Sequence, residues 1–257
     1  MAESTVRGSS TIQLDRLPQT LRAQIQQERQ EVARLHGELT RWNLVVWTAG
    51  NVSQRIRCAE EIGTDLLVIK PSGVPYELLR PENIVVCDLS GRKIDDGTDA
   101  SLGPSSDVFA HAYVYQQMPE VGGVVHTHST YATAWAARRQ PIPCVLTMMA
   151  DEFGGEIPVG PLAVIGDESI GRGIVETLRG SRSRAVLMAN HGPFTIGTDA
   201  TAAVKTAAMC EEVAQTVYVS AQMGDPVAIP RQTVDHLYAR YQNDYGQHES
   251  RPAGSAG

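Results

Sequence analysis

Three short apolar runs, NVSQRIR (51–57), DLLVI (65–69) and IVVCDL (84–89), follow one another with no helical pattern between them. Parallel neighbours need a crossover of a dozen or more residues, usually a helix, whereas antiparallel neighbours need only a turn. The run therefore demands a sheet that is at least partly antiparallel. Further strand candidates lie at 121–127, 185–189 and 194–196. Helical patterns surround them at 17–42, from Pro104 to about Met118, and at 131–138, 168–178 and 200–223, with a last helix after Pro230. Short segments at 143–147 and 156–159 precede the 168–178 helix. Helices before, between and after the strands would cover both faces. The expectation is an α/β fold, a three-layer α/β/α sandwich around a mixed sheet.

The chain has 257 residues, enough for one large core. Residues 1–18 and 247–257 read as flexible tails rich in polar, Gly, Ser and Pro residues, and 19–246 as one domain. No apolar run approaches the roughly 18–20 residues of a membrane span, and the N-terminus has no hydrophobic leader core. Cys58, Cys87, Cys144 and Cys210 form no CxxC pair and read as reduced thiols of a cytoplasmic protein. A net charge of −7 without a basic block argues against nucleic acid and membrane as partners. A small phosphorylated substrate, which needs only a local site, stays open.

Chemistry concentrates in three histidines. His126 and His128 end the run VVHTHS (124–129), where side chains two apart on a strand share a face. His191 ends another apolar run, at NHGPF (190–194). Three neutral imidazoles with a fourth position open describe a catalytic metal site, most often zinc. An HxH pair alone is as compatible with partly buried histidines bonded to backbone; a third histidine at a strand-to-turn junction shifts the balance toward ligands. Asp107 lies at a helix start, where a carboxylate serves either as an acidic group beside the metal or as an ordinary cap. His111, one turn on, reads as structural. In KPSG (70–73) and PSSD (104–107), Lys70, two serine hydroxyls, and amides at Gly73 and the helix start could receive an anion; taken alone, the two motifs read rather as a plain strand-to-turn exit and a plain helix cap.

The motifs TAGNVS (48–53), KPSG, PSSD, VVHTHS and NHGPF occur in this order at spacings that resemble the class II aldolase/adducin family, and within it the L-ribulose-5-phosphate 4-epimerases most closely, over about residues 20–246. That resemblance implies a mostly antiparallel central sheet and a C4 homotetramer with active sites at subunit interfaces. It implies His126, His128 and His191 as zinc ligands, with Mn2+ or Co2+ as substitutes, and Asp107 as the acidic residue beside the metal. Asn51, Lys70, Ser72, Gly73, Ser105 and Ser106 match the phosphate pocket. Thr147 and Asp151 in LTMMADEF (146–153) match an epimerase segment whose Asp is an acid/base catalyst. Tyr245 in NDYGQ (243–247) matches a catalytic tyrosine supplied by a neighbouring subunit, and His236 aligns more loosely with another active-site histidine.

The implied activity is inversion of C4 of a ketopentose 5-phosphate, L-ribulose 5-phosphate to D-xylulose 5-phosphate, by retro-aldol and aldol steps. Two features depart from the epimerase pattern: Met149 stands where epimerases tend to have His, and PLAVIGDESIG (161–171) is short, as in aldolases. A class II aldolase cleaving a ketose 1-phosphate such as fuculose 1-phosphate, a related sugar-acid phosphate decarboxylase, and an adducin-like assembly module are the alternatives.

Overall fold

The computed structural model describes residues 12–243. The strands are β1 (Asn51–Ile56), β2 (Leu66–Ile69), β3 (Val85–Asp88), β4 (Gly123–His126), β5 (Val159–Gly160), β6 (Ala185–Met188) and β7 (Gly192–Gly197). They form one seven-stranded sheet in the order β3-β2-β1-β4-β7-β6-β5. All neighbours are antiparallel except β5 and β6. Those two are parallel, and the helix α6 (Ser169–Leu178) lies between them in the chain. The sheet is mixed and mostly antiparallel, as expected.

Alternation along the strands builds the layers. Leu66, Val68, Val86 and Val125 face a core shared with α1 (Gln19–Arg41) and the start of α7 (Ala200–Ala221). Leu67, Ile69, Val85, Cys87 and Val124 face the opposite core, under α3 (Val108–Gln117) and α6. In α1, Leu21, Ile25, Val32, Leu35 and Leu39 are buried at spacings of four, seven, three and four, one stripe of an amphipathic helix. Burying such a side chain contributes about 1.5–3 kcal/mol. Ala185 and Leu187 of β6 join a third cluster with α4 (Thr130–Arg138), α5 (Thr147–Phe153) and α7. A short helix, α2 (Ala59–Ile62), follows β1, and α8 (Arg231–Asn243) packs on α5.

The structure corrects the sequence reading in three places. The helix α3 starts at Val108, with Asp107 as its N-cap, rather than near Ser105. The helix α5 has no counterpart in that reading: seven residues are too few for helical periodicity to register. It forms because Met149, Ala150, Glu152 and Phe153 find burial, and Gly154, at φ +63°, ends it. Residues 12–17, assigned above to the N-terminal tail, pack against the domain: Leu17 is buried and the Leu14 N–H donates to the Asp95 carbonyl at 2.8 Å. The rest of that tail, the 247–257 tail and Tyr245 lie outside the described residues. No helix among the described residues is long and apolar enough to cross a membrane.

Candidate metal centre and anion pocket

The register of the central strands gathers the histidines at one end of the sheet. His126, the last residue of β4, pairs with Asn51 of β1 on one side and Phe194 of β7 on the other. The strand ends there, so His128 lies just beyond it rather than within it. Met188 pairs with Gly192, leaving residues 189–191 as a three-residue hairpin loop that carries His191. Two glycines permit the approach. A Cβ on Gly192 would lie 2.7 Å from the Thr127 carbonyl oxygen, and one on Gly50, at φ +81°, would lie 2.8 Å from that of His126.

One nitrogen of each of His126, His128 and His191 lies within 4.8 Å of the others. The Nε2 atoms of His126 and His128 are 2.8 Å apart. The His126 ring stacks on Phe194, centroids 4.1 Å apart and 12° from parallel. Its Nδ1 faces the Pro193 carbonyl at 3.0 Å, so Nδ1 carries the proton and donates it there. That leaves the Nε2 lone pair directed at the cluster, the backbone-carbonyl arrangement typical of metal-binding histidines. Burial, helped by the neighbouring imidazoles, pushes His126 well below its ordinary pKa. Burial also lowers His128 and His191, while Asp107 pulls both back up. All three are therefore neutral near pH 7, the form that binds a metal. Three neutral nitrogen donors fit zinc and other first-row divalent ions.

Asp107 stands with them. As N-cap of α3 its side chain makes no capping hydrogen bond. Instead its Oδ2 accepts from Asn51 Nδ2 at 2.7 Å, and the same amide donates to Ser105 Oγ at 2.9 Å. Asp107 Oδ1 and Asn51 Oδ1 are buried without a partner among the described residues. Two orphaned buried oxygens beside three neutral imidazoles are what a cation or a hydroxyl-rich ligand would satisfy. Behind them His111 is fully buried, its Nδ1 2.7 Å from Ser53 Oγ, which in turn lies 2.7 Å from the Tyr115 hydroxyl. Burial drops His111 to about 3, consistent with its reading as a structural residue.

KPSG and PSSD are stitched together: the Ser72 N–H donates to the Gly103 carbonyl at 2.9 Å and the Ser105 N–H to that of Lys70 at 2.9 Å. The Ser105 amide considered for an anion is thus spent. Lys70 is buried, its ammonium 3.3 Å from each of the Thr48 and Pro71 carbonyls and 5.5 Å from the Tyr76 ring centroid. Burial lowers its pKa to about 8. The Tyr76 hydroxyl donates to the Ala49 carbonyl at 2.8 Å and holds the 48–51 loop over the lysine.

Thr147 and Asp151, one turn apart on α5, line a separate depression of about 620 Å3 with Glu152, Lys205, Met209 and Tyr241. Asp151 Oδ1 lies 3.6 Å from the Arg240 guanidinium. Hydrogen bonds thus join Asn51, Ser105 and Asp107, and the three histidines cluster, but among the described residues no contact joins Asp151 to either group. Met149 is buried in the α5 core, and His236 lies on α8. Sequence reasoning missed Tyr76, Phe194, Asn190 and Glu211. Phe194 and Asn190 sit inside the NHGPF motif, whereas nothing local marks Tyr76 or Glu211.

The family model for the Class II Aldolase and Adducin N-terminal domain matches residues 30–218. The L-ribulose-5-phosphate 4-epimerases UlaF of Salmonella paratyphi C (strain RKS4594) and Salmonella choleraesuis (strain SC-B67) are each 39% identical over 205 residues, 76% of this chain and 86% of theirs. The solved structure of an L-fuculose 1-phosphate aldolase is 27% identical with a TM-score of 0.75, covering 84% of this chain and 96% of that one.

Proposed function

Because the chain belongs to the class II aldolase and adducin family and is one of its sugar-phosphate epimerases or aldolases, we propose that it inverts C4 of L-ribulose 5-phosphate to give D-xylulose 5-phosphate. The observation that carries epimerase over aldolase is the 39% identity to epimerases across most of both chains, against 27% to the fuculose 1-phosphate aldolase. His126, His128 and His191 would hold zinc, with Mn2+ or Co2+ able to replace it, and Asp107 would stand beside it. Bound there, the ion would supply Lewis acidity toward the oxygens of the ketose, an effect worth several kcal/mol in a retro-aldol cleavage.

The chain's own groups bind, orient and move protons. Lys70, the hydroxyls of Ser72, Ser105 and Ser106, and the Gly73 amide anchor the phosphate. The single amide of Asn51 orients both Ser105 and Asp107. Breaking C3–C4 leaves the bonding pair on C3, delocalised into the C2 carbonyl, while the C4 hydroxyl gives its proton to a base and becomes an aldehyde. Rotation of the anchored aldehyde and re-addition at its other face return a proton to that oxygen. Asp151 and Tyr245 serve the two faces. A free tyrosine titrates near pH ~10, so Tyr245 starts as a donor. Thr147, on the same face of α5 as Asp151, lines the same depression.

A cytoplasmic homotetramer with interfacial sites completes the reading, since Tyr245 would come from a neighbouring subunit. Trp42, Val46 and Trp47, all exposed beside the 48–50 loop, support an assembly surface there. The second reading, a class II aldolase, is favoured by the fold likeness to the fuculose 1-phosphate aldolase and by the short 161–171 segment. An NMR time course of zinc-loaded enzyme with L-ribulose 5-phosphate decides. D-Xylulose 5-phosphate with little free glycolaldehyde phosphate supports the epimerase. Inertness toward L-ribulose 5-phosphate with cleavage of fuculose 1-phosphate in a parallel tube establishes the aldolase.

A further inference from the structure

Asn190 stands immediately before His191 and adopts φ +57°, a left-handed conformation that residues with a Cβ seldom take without support. Its support comes from the far end of α4. The Asn190 N–H donates to the Ala136 carbonyl at 3.0 Å. Its Nδ2 donates to the Ala137 carbonyl at 3.4 Å, and its Oδ1 accepts from Arg139 Nε at 2.7 Å. Ala136 and Ala137 belong to the last turn of α4, whose carbonyls lack the regular i+4 N–H; that of Ala136 also accepts the Arg139 N–H at 3.0 Å. Arg139 is the C-cap of that helix and is itself left-handed, at φ +53°. Two left-handed residues from separate elements, both exposed, are thus held face to face.

The same helix begins two residues after His128. There the Glu211 carboxylate of α7 accepts the N–H groups of Tyr131 at 2.8 Å and Ala132 at 2.9 Å, fixing the start of α4. Midway along, a Cβ on Gly192 would lie 3.4 Å from Thr133 Oγ1, so α4 also packs on the residue after His191. The helix is tied to the His128 loop at one end and to the His191 loop at the other.

We infer that Asn190 is a positioning residue for His191, and that its clamp to Arg139 and the last turn of α4 sets where that imidazole stands relative to His126 and His128. The inference rests on the metal reading of the three histidines. A glycine at 190 would accept the backbone angle but lose the side-chain bonds. Truncating Arg139, which is exposed, removes one bond and leaves the packing intact.

The test compares wild type, Asn190→Gly, Arg139→Ala and His191→Ala for zinc affinity by competition with a chelating indicator. It also records the visible absorption of the cobalt-substituted proteins and the unfolding midpoint of the metal-free forms. Zinc binding should weaken about 10–100-fold in Asn190→Gly and about three- to tenfold in Arg139→Ala. The cobalt spectrum should change in both, with metal-free midpoints close to wild type. A metal-binding wild type whose binding fails in His191→Ala but is unchanged in Asn190→Gly and Arg139→Ala, with unchanged cobalt spectra, overturns this inference alone. A wild type that takes up no zinc, or a His191→Ala variant that binds it normally, overturns the metal reading and this inference with it. Should Asn190→Gly fail to fold, Arg139→Ala decides.

Discussion

Lys70→Met should make the ligand-free protein more stable while weakening its hold on a sugar phosphate. Lys70 is 2% exposed, and burial alone accounts for its depressed pKa, about 8 against an ordinary 10.5. Every tenfold change in a protonation equilibrium is worth about 1.4 kcal/mol, so keeping this ammonium charged costs the fold about 3 kcal/mol. The cost is fully present below pH 8, where the lysine is charged both folded and unfolded. It is relieved between about 8 and 10.5, because the folded form gives up its proton first and stability rises with pH.

Methionine keeps the apolar stem and removes the charge. Two long carbonyl bonds and the position over Tyr76 are lost with it, leaving a net gain of about 1–2 kcal/mol. For a domain of this size that corresponds to a rise of about 2–8 °C in unfolding midpoint. Circular dichroism melts in chelator at pH 7 and pH 10.5 read this out: the variant should lead at pH 7 and lose its lead at pH 10.5. Added inorganic phosphate should raise the wild-type midpoint and leave the variant unmoved. A variant that melts below wild type at pH 7, with phosphate stabilising both equally, would refute the idea of a buried cation awaiting an anion.

The same lysine should make wild-type KM for the sugar phosphate rise above about pH 8, as the ammonium deprotonates; a flat KM to pH 9.5 argues against Lys70 as the anion partner. Asp151→Asn should lower kcat by about 10²–10⁴ with zinc content unchanged, the range expected for loss of a general acid/base; a fully active variant would sink that role. Gly192→Ala would place a methyl 2.7 Å from the Thr127 carbonyl and should destabilise the fold by about 1–3 kcal/mol, with reduced zinc in the purified protein as measured by metal analysis. Glu152→Ala removes a buried carboxylate that accepts from Lys205 at 2.9 Å, Tyr241 at 2.9 Å and Thr206 at 3.2 Å. It should cost about 1–3 kcal/mol in denaturant unfolding and loosen α8, seen as faster amide exchange there.

Periodicity makes most of the scaffold legible in the sequence. The runs at 51–57, 65–69 and 84–89 had to pair antiparallel because nothing between them could cross over, and β1, β2 and β3 do so. The stripe of α1 can be read because 23 residues repeat a pattern many times. Seven residues of α5 cannot, and its burial against β6 and α7 decided its conformation instead. The start of α3 is ambiguous in sequence because Ser105 and Asp107 are equally good caps locally. The Ser105 N–H to Lys70 carbonyl bond, part of the bridge that pairs Pro104 with Pro71, ties the chain there to the strand exit, and the helix starts only at Val108.

By itself the sequence determined the types of the longer elements, the mixed sheet and the identity of the three imidazoles, because side-chain period and the chemistry of His are local properties. Only the tertiary structure decided how those groups meet. Strand register put Asn51 opposite His126, so that one amide could reach both Ser105 and Asp107. Burial left Lys70 without a counter-charge among the described residues, and Arg139, the C-cap of α4, met Asn190 from 51 residues away in sequence. Charge without solvent and contact across distant segments are consequences of packing, and no local pattern encodes them.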